Sequence, residues 1–193
     1  MSKVLVIFLG LMASGLWAHT GVNATFTVTE GFMHPISGMD HILAMFAVGL
    51  FASLFTQKDV VKVLIAFVGM MGVSAAIGTF HLAIPFIEAG IVGSIVVFGL
   101  MIVFAAKIPY RIALAAVGIF AMFHGYAHGY EFSGSGSFAG YLAGFSVSTL
   151  TIHLMGLGVG RFVQMVALDS SKNRVIKAAG SAIALGGLSL SFL

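Results

Sequence analysis

The sequence predicts an all-α membrane protein: a bundle of six transmembrane helices behind an N-terminal signal peptide, with both mature termini outside. Three observations predict it. Of the 193 residues, 60% are hydrophobic and only 8% charged, whereas soluble domains carry about 25% charged residues. Six apolar stretches reach the ~20 residues that a crossing needs. Lysine and arginine are confined to alternate connections between those stretches. The net charge of +3 therefore reads as an orientation signal in short loops, not as a nucleic-acid surface. The chain has no cysteine, which excludes a disulfide framework and leaves nitrogen and oxygen to hold any metal.

Residues 1–18 place Lys3 before the apolar run Val4–Leu11 and the small residues Ala13, Ser14, Gly15 and Ala18. This is the pattern of a secretory signal peptide, with cleavage expected after Ala18. An uncleaved anchor helix is the alternative, and both readings put His19 outside the cytoplasm. A single transmembrane domain is expected over 19–193. It begins with a short polar, Thr-rich outer segment at 19–33 and continues with spans near 34–56, 61–81, 86–106, 110–129, 137–160 and 174–192. The breaks between spans carry turn chemistry: Gln57-Lys58-Asp59, the Pro85 turn, Lys107-Ile108-Pro109, a Ser/Gly-rich tip at 133–137, and 168–174.

Lys58 and Lys62 flank the first connection, Lys107 and Arg111 the third, and Arg161, Lys172, Arg174 and Lys177 the fifth, whereas the second and fourth connections carry none. The odd-numbered connections are thus expected in the cytoplasm. Small-xxx-small spacings at Gly125/Gly129, Gly140/Gly144 and Gly156/Gly160 predict close helix packing in lipid. The two halves share no motif at matching positions, so no inverted repeat is read.

An ionisable side chain at membrane depth costs at least ~2.5–3.5 kcal/mol, so it persists mainly where it faces protein, water or an ion. The expected topology gathers such residues near the outer face: His34, Asp40 and His41 on the first span, His81 at the end of the second, Glu88 at the start of the third, and His124, His128 and Glu131 on the fourth. His153 lies deeper, ~22 Å into the fifth span at 1.5 Å per residue. His124 and His128 are spaced i, i+4, and Glu131 continues their stripe, a two-imidazole-plus-carboxylate pattern suited to a divalent transition metal. His34 and His41 stand two turns apart, about 10.5 Å on an ideal helix, so they share an ion only if the first turn bends. Pro35 permits that bend with His34 as a non-helical cap. Asp40 is expected to face a neighbouring helix or to orient a histidine, and Gly38 to admit the fourth helix. His81, Glu88, His153 and His19 rank second as candidates, since a loop-side or lone histidine has ordinary structural readings. The phenylalanines and methionines are expected to be packing.

His34-Pro35-x-x-Gly38-x-Asp40-His41 resembles the signature of the HupE/UreJ family of nickel and cobalt permeases. Phe123-His124-Gly125-Tyr126-Ala127-His128-Gly129-Tyr130-Glu131 is similar to that family's second motif. The resemblance implies a multi-pass permease of the bacterial inner membrane that serves hydrogenase or urease. It also implies that His34, Asp40, His41, His124, His128 and Glu131 matter for transport.

The expected function is non-ATP uptake of nickel, or cobalt, from periplasm to cytoplasm, since the chain has no P-loop and no soluble domain. The ion is the substrate, no resident cofactor is expected, and the partners are the metal ion, the lipid bilayer and, in one option, a second copy of the chain. Ser146, Ser148, Thr149, Thr151 and His153 mark an expected inward path. Protonation of the histidines should weaken capture as external pH falls. The rival is an intramembrane zinc hydrolase acting on a lipid amide or ester, for which no substrate-binding feature stands out. A retinal protein is excluded because no lysine lies deep within a span; Lys62 and Lys177 sit at span ends.

Overall fold

The computed structural model describes residues 26–132 and 134–192; the expected signal peptide and His19 lie outside these residues. Among the described residues there are seven α-helices: α1 (Val28–Ser37), α2 (Met39–Ala52), α3 (Gln57–Gly78), α4 (Ile87–Val103), α5 (Tyr110–Tyr130), α6 (Phe138–Val166) and α7 (Asp169–Leu190). A 3-10 turn at Ala105–Lys107 precedes α5. The only β pairing among them is a lone bridge between Phe26 and Gly136, where Phe26 N–H donates to the Ser135 carbonyl and Ser137 N–H to the Phe26 carbonyl.

Local chemistry explains the ends. Thr27 and Glu30 form a reciprocal capping box that starts α1, satisfying two donors that the first turn leaves unpaired. The 19–33 segment, expected to be an outer stretch, is therefore helical from Val28 onward. Ser137 caps α6 by accepting from Gly140 N–H. Pro109 stands at the N-cap of α5, where its fixed φ is compatible and a missing N–H costs nothing.

The first predicted span is not one rod. It is divided between α1 and α2, which meet at 84° across Gly38, an extended residue with φ −98° and ψ 123°. The break falls three residues after Pro35, which sits inside α1, because a proline disturbs the carbonyls of the turn before it without stopping the turn after it.

Among the described residues three helices are long and apolar enough to cross a membrane, α3, α5 and α6, and a fourth if α1 and α2 count as one broken crossing. The apolar α4 has 17 residues, a length of roughly 25 Å. In α7 the first turns carry Lys172, Arg174 and Lys177, so its apolar part is short.

Packing follows the small residues. α3 lies chiefly against α5, α4 against α7, and α1 and α2 both against α6. A Cβ on Gly125 or Gly129 would overlap the carbonyl oxygens of Met71 and Ala75, and one on Gly144 would overlap that of Val28. These are the backbone approaches that small-xxx-small spacing permits in lipid. The interior is filled by Met45, Phe51, Phe67, Phe98 and Phe145, all fully buried. The junction of α1 with α2, the start of α6 and the end of α5 meet at one end of the bundle, and that end holds the ionisable cluster.

Candidate metal centre

The bend at Gly38 brings together what helical spacing would keep apart. His34, near the end of α1, and His41, in the first turn of α2, have ring centroids 5.3 Å apart. His128, in the last turn of α5, reaches the same point, 4.5 Å from the His34 ring and 4.9 Å from that of His41. One ligand atom from each of His34, His41 and His128 lies within 4.8 Å of the other two. His41 and His128 are buried and His34 is half-buried. His41 Nε2 and His128 Nε2 are 2.7 Å apart.

Carboxylates hold the far sides of the two buried rings. His41 Nδ1–H donates to Asp40 Oδ1 at 2.9 Å, and Glu131 Oε2 stands 3.5 Å from His128 Nδ1. The Asp40 carboxylate on His41 Nδ1 fixes that ring and its tautomer, which leaves Nε2 to face the centre. Of the two options for Asp40, the geometry takes the second, since it orients the adjacent histidine. Gly38 differs from expectation: no helix fills its place. A Cβ there would come 2.8 Å from Asp40 Oδ1 and 2.9 Å from His41 Nδ1, so the absent side chain makes room for that pair.

His124 does not join the three-ring group. Its ring sits 5.6 Å from that of His41, and its Nδ1–H donates back to the Phe120 carbonyl at 3.0 Å. The i, i+4 pair thus splits, His128 into the cluster and His124 into the layer beneath. His153 lies deeper still, fully buried. His81 is exposed and left-handed, with φ 54°, and donates to the Phe132 carbonyl at 3.0 Å, which ties the 79–86 connection to the end of α5. Glu88, in the first turn of α4, lines a cavity of ≈ 230 Å³ together with Tyr126, Tyr130 and Glu131. Glu131 therefore borders both that cavity and His128.

Aromatic rings close the cluster in a way that the sequence does not signal. Phe145 lies 4.4 Å from the His128 ring, 5.9 Å from His34 and 6.1 Å from His41. Tyr141, one turn earlier on α6, is 6.3 Å from His34. Nothing separates these two from the many packing aromatics except their placement. Of the expected inward path, Ser148, Thr149 and His153 are buried, whereas Thr151 is exposed and its hydroxyl donates to the Val147 carbonyl. At ~100° per residue it faces away from Thr149 and His153.

The profile described as HupE / UreJ protein matches residues 6–190. This chain belongs to the HupE/UreJ family. A curated member, Protein HupE of Rhizobium leguminosarum bv. viciae, is 39% identical over 173 residues, covering 90% of this chain and 88% of its own. No solved structure matches the chain. The HupE/UreJ match runs through both histidine motifs and all seven described helices, so the cluster at Gly38 lies well inside the shared region.

Proposed function

We propose that this HupE/UreJ protein is a secondary transporter that takes up a divalent transition metal, nickel or cobalt, from periplasm to cytoplasm without nucleotide hydrolysis. The observation that carries this reading is the meeting of His34, His41 and His128, from three helices, with ligand atoms within 4.8 Å of one another. Two ligands on neighbouring coordination positions at ~2.1 Å from a metal stand ~3.0 Å apart. The 2.7 Å between His41 Nε2 and His128 Nε2 is within a few tenths of an ångström of that spacing, so little ring movement admits an ion. Imidazole and carboxylate donors suit nickel, cobalt, copper and zinc, and selection among them rests on geometry and supply.

In this reading Asp40 and Glu131 hold the rings, and Glu88 and Glu131 line the approach. α1 with α2 is read as one broken crossing beside the long apolar helices α3, α5 and α6, and a six-span bundle additionally requires the shorter α4 and the base-bearing α7 to cross. In this reading the end opposite the histidines, which carries Lys58, Lys62, Lys107, Arg111, Arg161, Lys172, Arg174 and Lys177, faces the cytoplasm across the inner membrane, in keeping with the positive-inside rule. Broken helices that bind at the break are a recurrent device of secondary transporters.

The test is metal uptake by cells lacking other nickel transporters, with wild type compared with His41→Ala and His128→Ala. Both variants should lose uptake; normal transport by both would sink the site. Zinc-dependent release of lipid amide or ester products by the purified protein, without nickel uptake into vesicles, would transfer the site to hydrolysis.

A further inference from the structure

We infer that His153 is an inner relay ligand for the transported metal, reached from the outer cluster through His124 and separated from it by the Phe67 ring. This rests on the transport reading above and adds a second holding position to it.

His153 is fully buried; the Thr149 carbonyl one turn back is the backbone group near its ring, and neither ring nitrogen makes a well-formed hydrogen bond. A buried polar group left without a partner is costly, so a histidine kept only for packing would have its nitrogens satisfied. His124 shows the same feature on one side. Its Nδ1 is engaged with Phe120, whereas its buried Nε2 has no partner. Two orphaned imidazoles in one interior are a standing offer of ligand atoms.

They are linked through rings. The His41 and His124 centroids are 5.6 Å apart, His124 and Phe67 5.8 Å, and Phe67 and His153 4.8 Å in an edge arrangement. The series descends from the outer cluster into the bundle, with Phe67 of α3 as the one member that offers no ligand atom. Phe67 packs on both imidazoles, so an ion passing from His124 to His153 moves alongside that ring.

Thr149, one turn before His153 on the same face of α6, directs Oγ1 to Met71 Sδ at 3.9 Å, so that face of the helix is polar at this depth. Imidazole nitrogen fits a borderline transition metal and not Mg²⁺ or Ca²⁺, which take hard oxygen shells.

The experiment uses the full chain, purified, with Co²⁺ and Ni²⁺ as probes. Binding is read by visible absorption of bound Co²⁺, and transport by Ni²⁺ uptake into proteoliposomes. His153→Phe keeps an aromatic ring of similar size against Phe67 but removes both nitrogens. His153→Cys restores a ligand of another kind. His153→Phe should bind Co²⁺ at the outer cluster within about twofold of wild type while uptake falls about tenfold or more, and His153→Cys should recover part of the uptake. Uptake by His153→Phe within about twofold of wild type overturns the inference. So does loss of outer-site binding along with uptake, which would mark His153 as a support for the bundle. The transport reading fails on a different result: wild type and His41→Ala binding and transporting alike.

Discussion

His41 Nε2 lies 2.7 Å from His128 Nε2, although the two residues are 87 positions apart in the chain. At that distance the two nitrogens share a proton or a small cation, because two bare lone pairs would repel. If the cluster holds the transported ion, metal and proton compete for one place. Metal binding by the purified protein should weaken as pH falls, because protons compete for the same nitrogens. The sign follows from the ligand form: the metal needs a free lone pair, and protonation removes it. Titration of Co²⁺ binding between pH 7.5 and 5.5 checks this, and an affinity constant across that interval would remove imidazole capture.

Asp40 holds His41 through a 2.9 Å hydrogen bond. Asp40→Asn keeps the shape and an acceptor oxygen but loses the charge. Partners of this kind are typically worth 10–100-fold in metal affinity, so Asn should weaken Co²⁺ binding by roughly tenfold or more with the thermal midpoint nearly unchanged. Equal loss of stability and affinity would give Asp40 a folding role instead.

Gly38 gives a complementary test. A Cβ at this position meets only the ends of the Asp40 and His41 side chains, which can shift without disturbing the backbone. Gly38→Ala should therefore displace the His41 ring and lower uptake about tenfold, while melting moves little. Uptake at wild-type level with intact Co²⁺ affinity would show that the pair tolerates the added methyl.

Gly129 predicts the opposite balance. Its missing Cβ is replaced by the backbone carbonyl of Ala75 on α3, so Gly129→Ala forces α3 and α5 apart. Overpacking of this kind costs typically ~1–3 kcal/mol, read as a lower midpoint in detergent thermal unfolding. Because His128 is next in sequence, uptake should fall as well. An unchanged midpoint would mean that the two helices separate freely.

Much of this was legible in the letters, and the reasons for the rest are physical. Composition alone marks an all-α chain of membrane-crossing helices, because α3, α5 and α6 are long and uninterrupted. The helix pairing at Gly125 and Gly129 is readable from spacing, since small residues allow backbones to approach whatever the fold. Thr27-Val28-Thr29-Glu30 spells the start of α1 as Thr-x-x-Glu, yet the apolar run from His34 onward masks it. The 84° bend is harder. Pro35 signals a disturbance, but which residue becomes extended depends on the room that Asp40 and His41 need beside Gly38. The separation of His124 from His128 is likewise tertiary. Both share a face of α5, and only the positions of α2 and Phe67 decide which ring meets His34.

Gly38 also has a mechanical meaning. Two rigid helices connected through a single extended residue have one joint, and the cluster is divided across it. His34 rides on α1, the shorter arm, with Met33, Ile36 and Ser37 exposed beside it. His41 and His128 are seated on α2 and α5, against the fully buried core. α1 is itself seated on α6, with Gly31 against the Tyr141 backbone and Gly144 against that of Val28. Turning the shorter arm about Gly38 would therefore slide it over α6, so the position of His34 is set by that helix contact as much as by the joint.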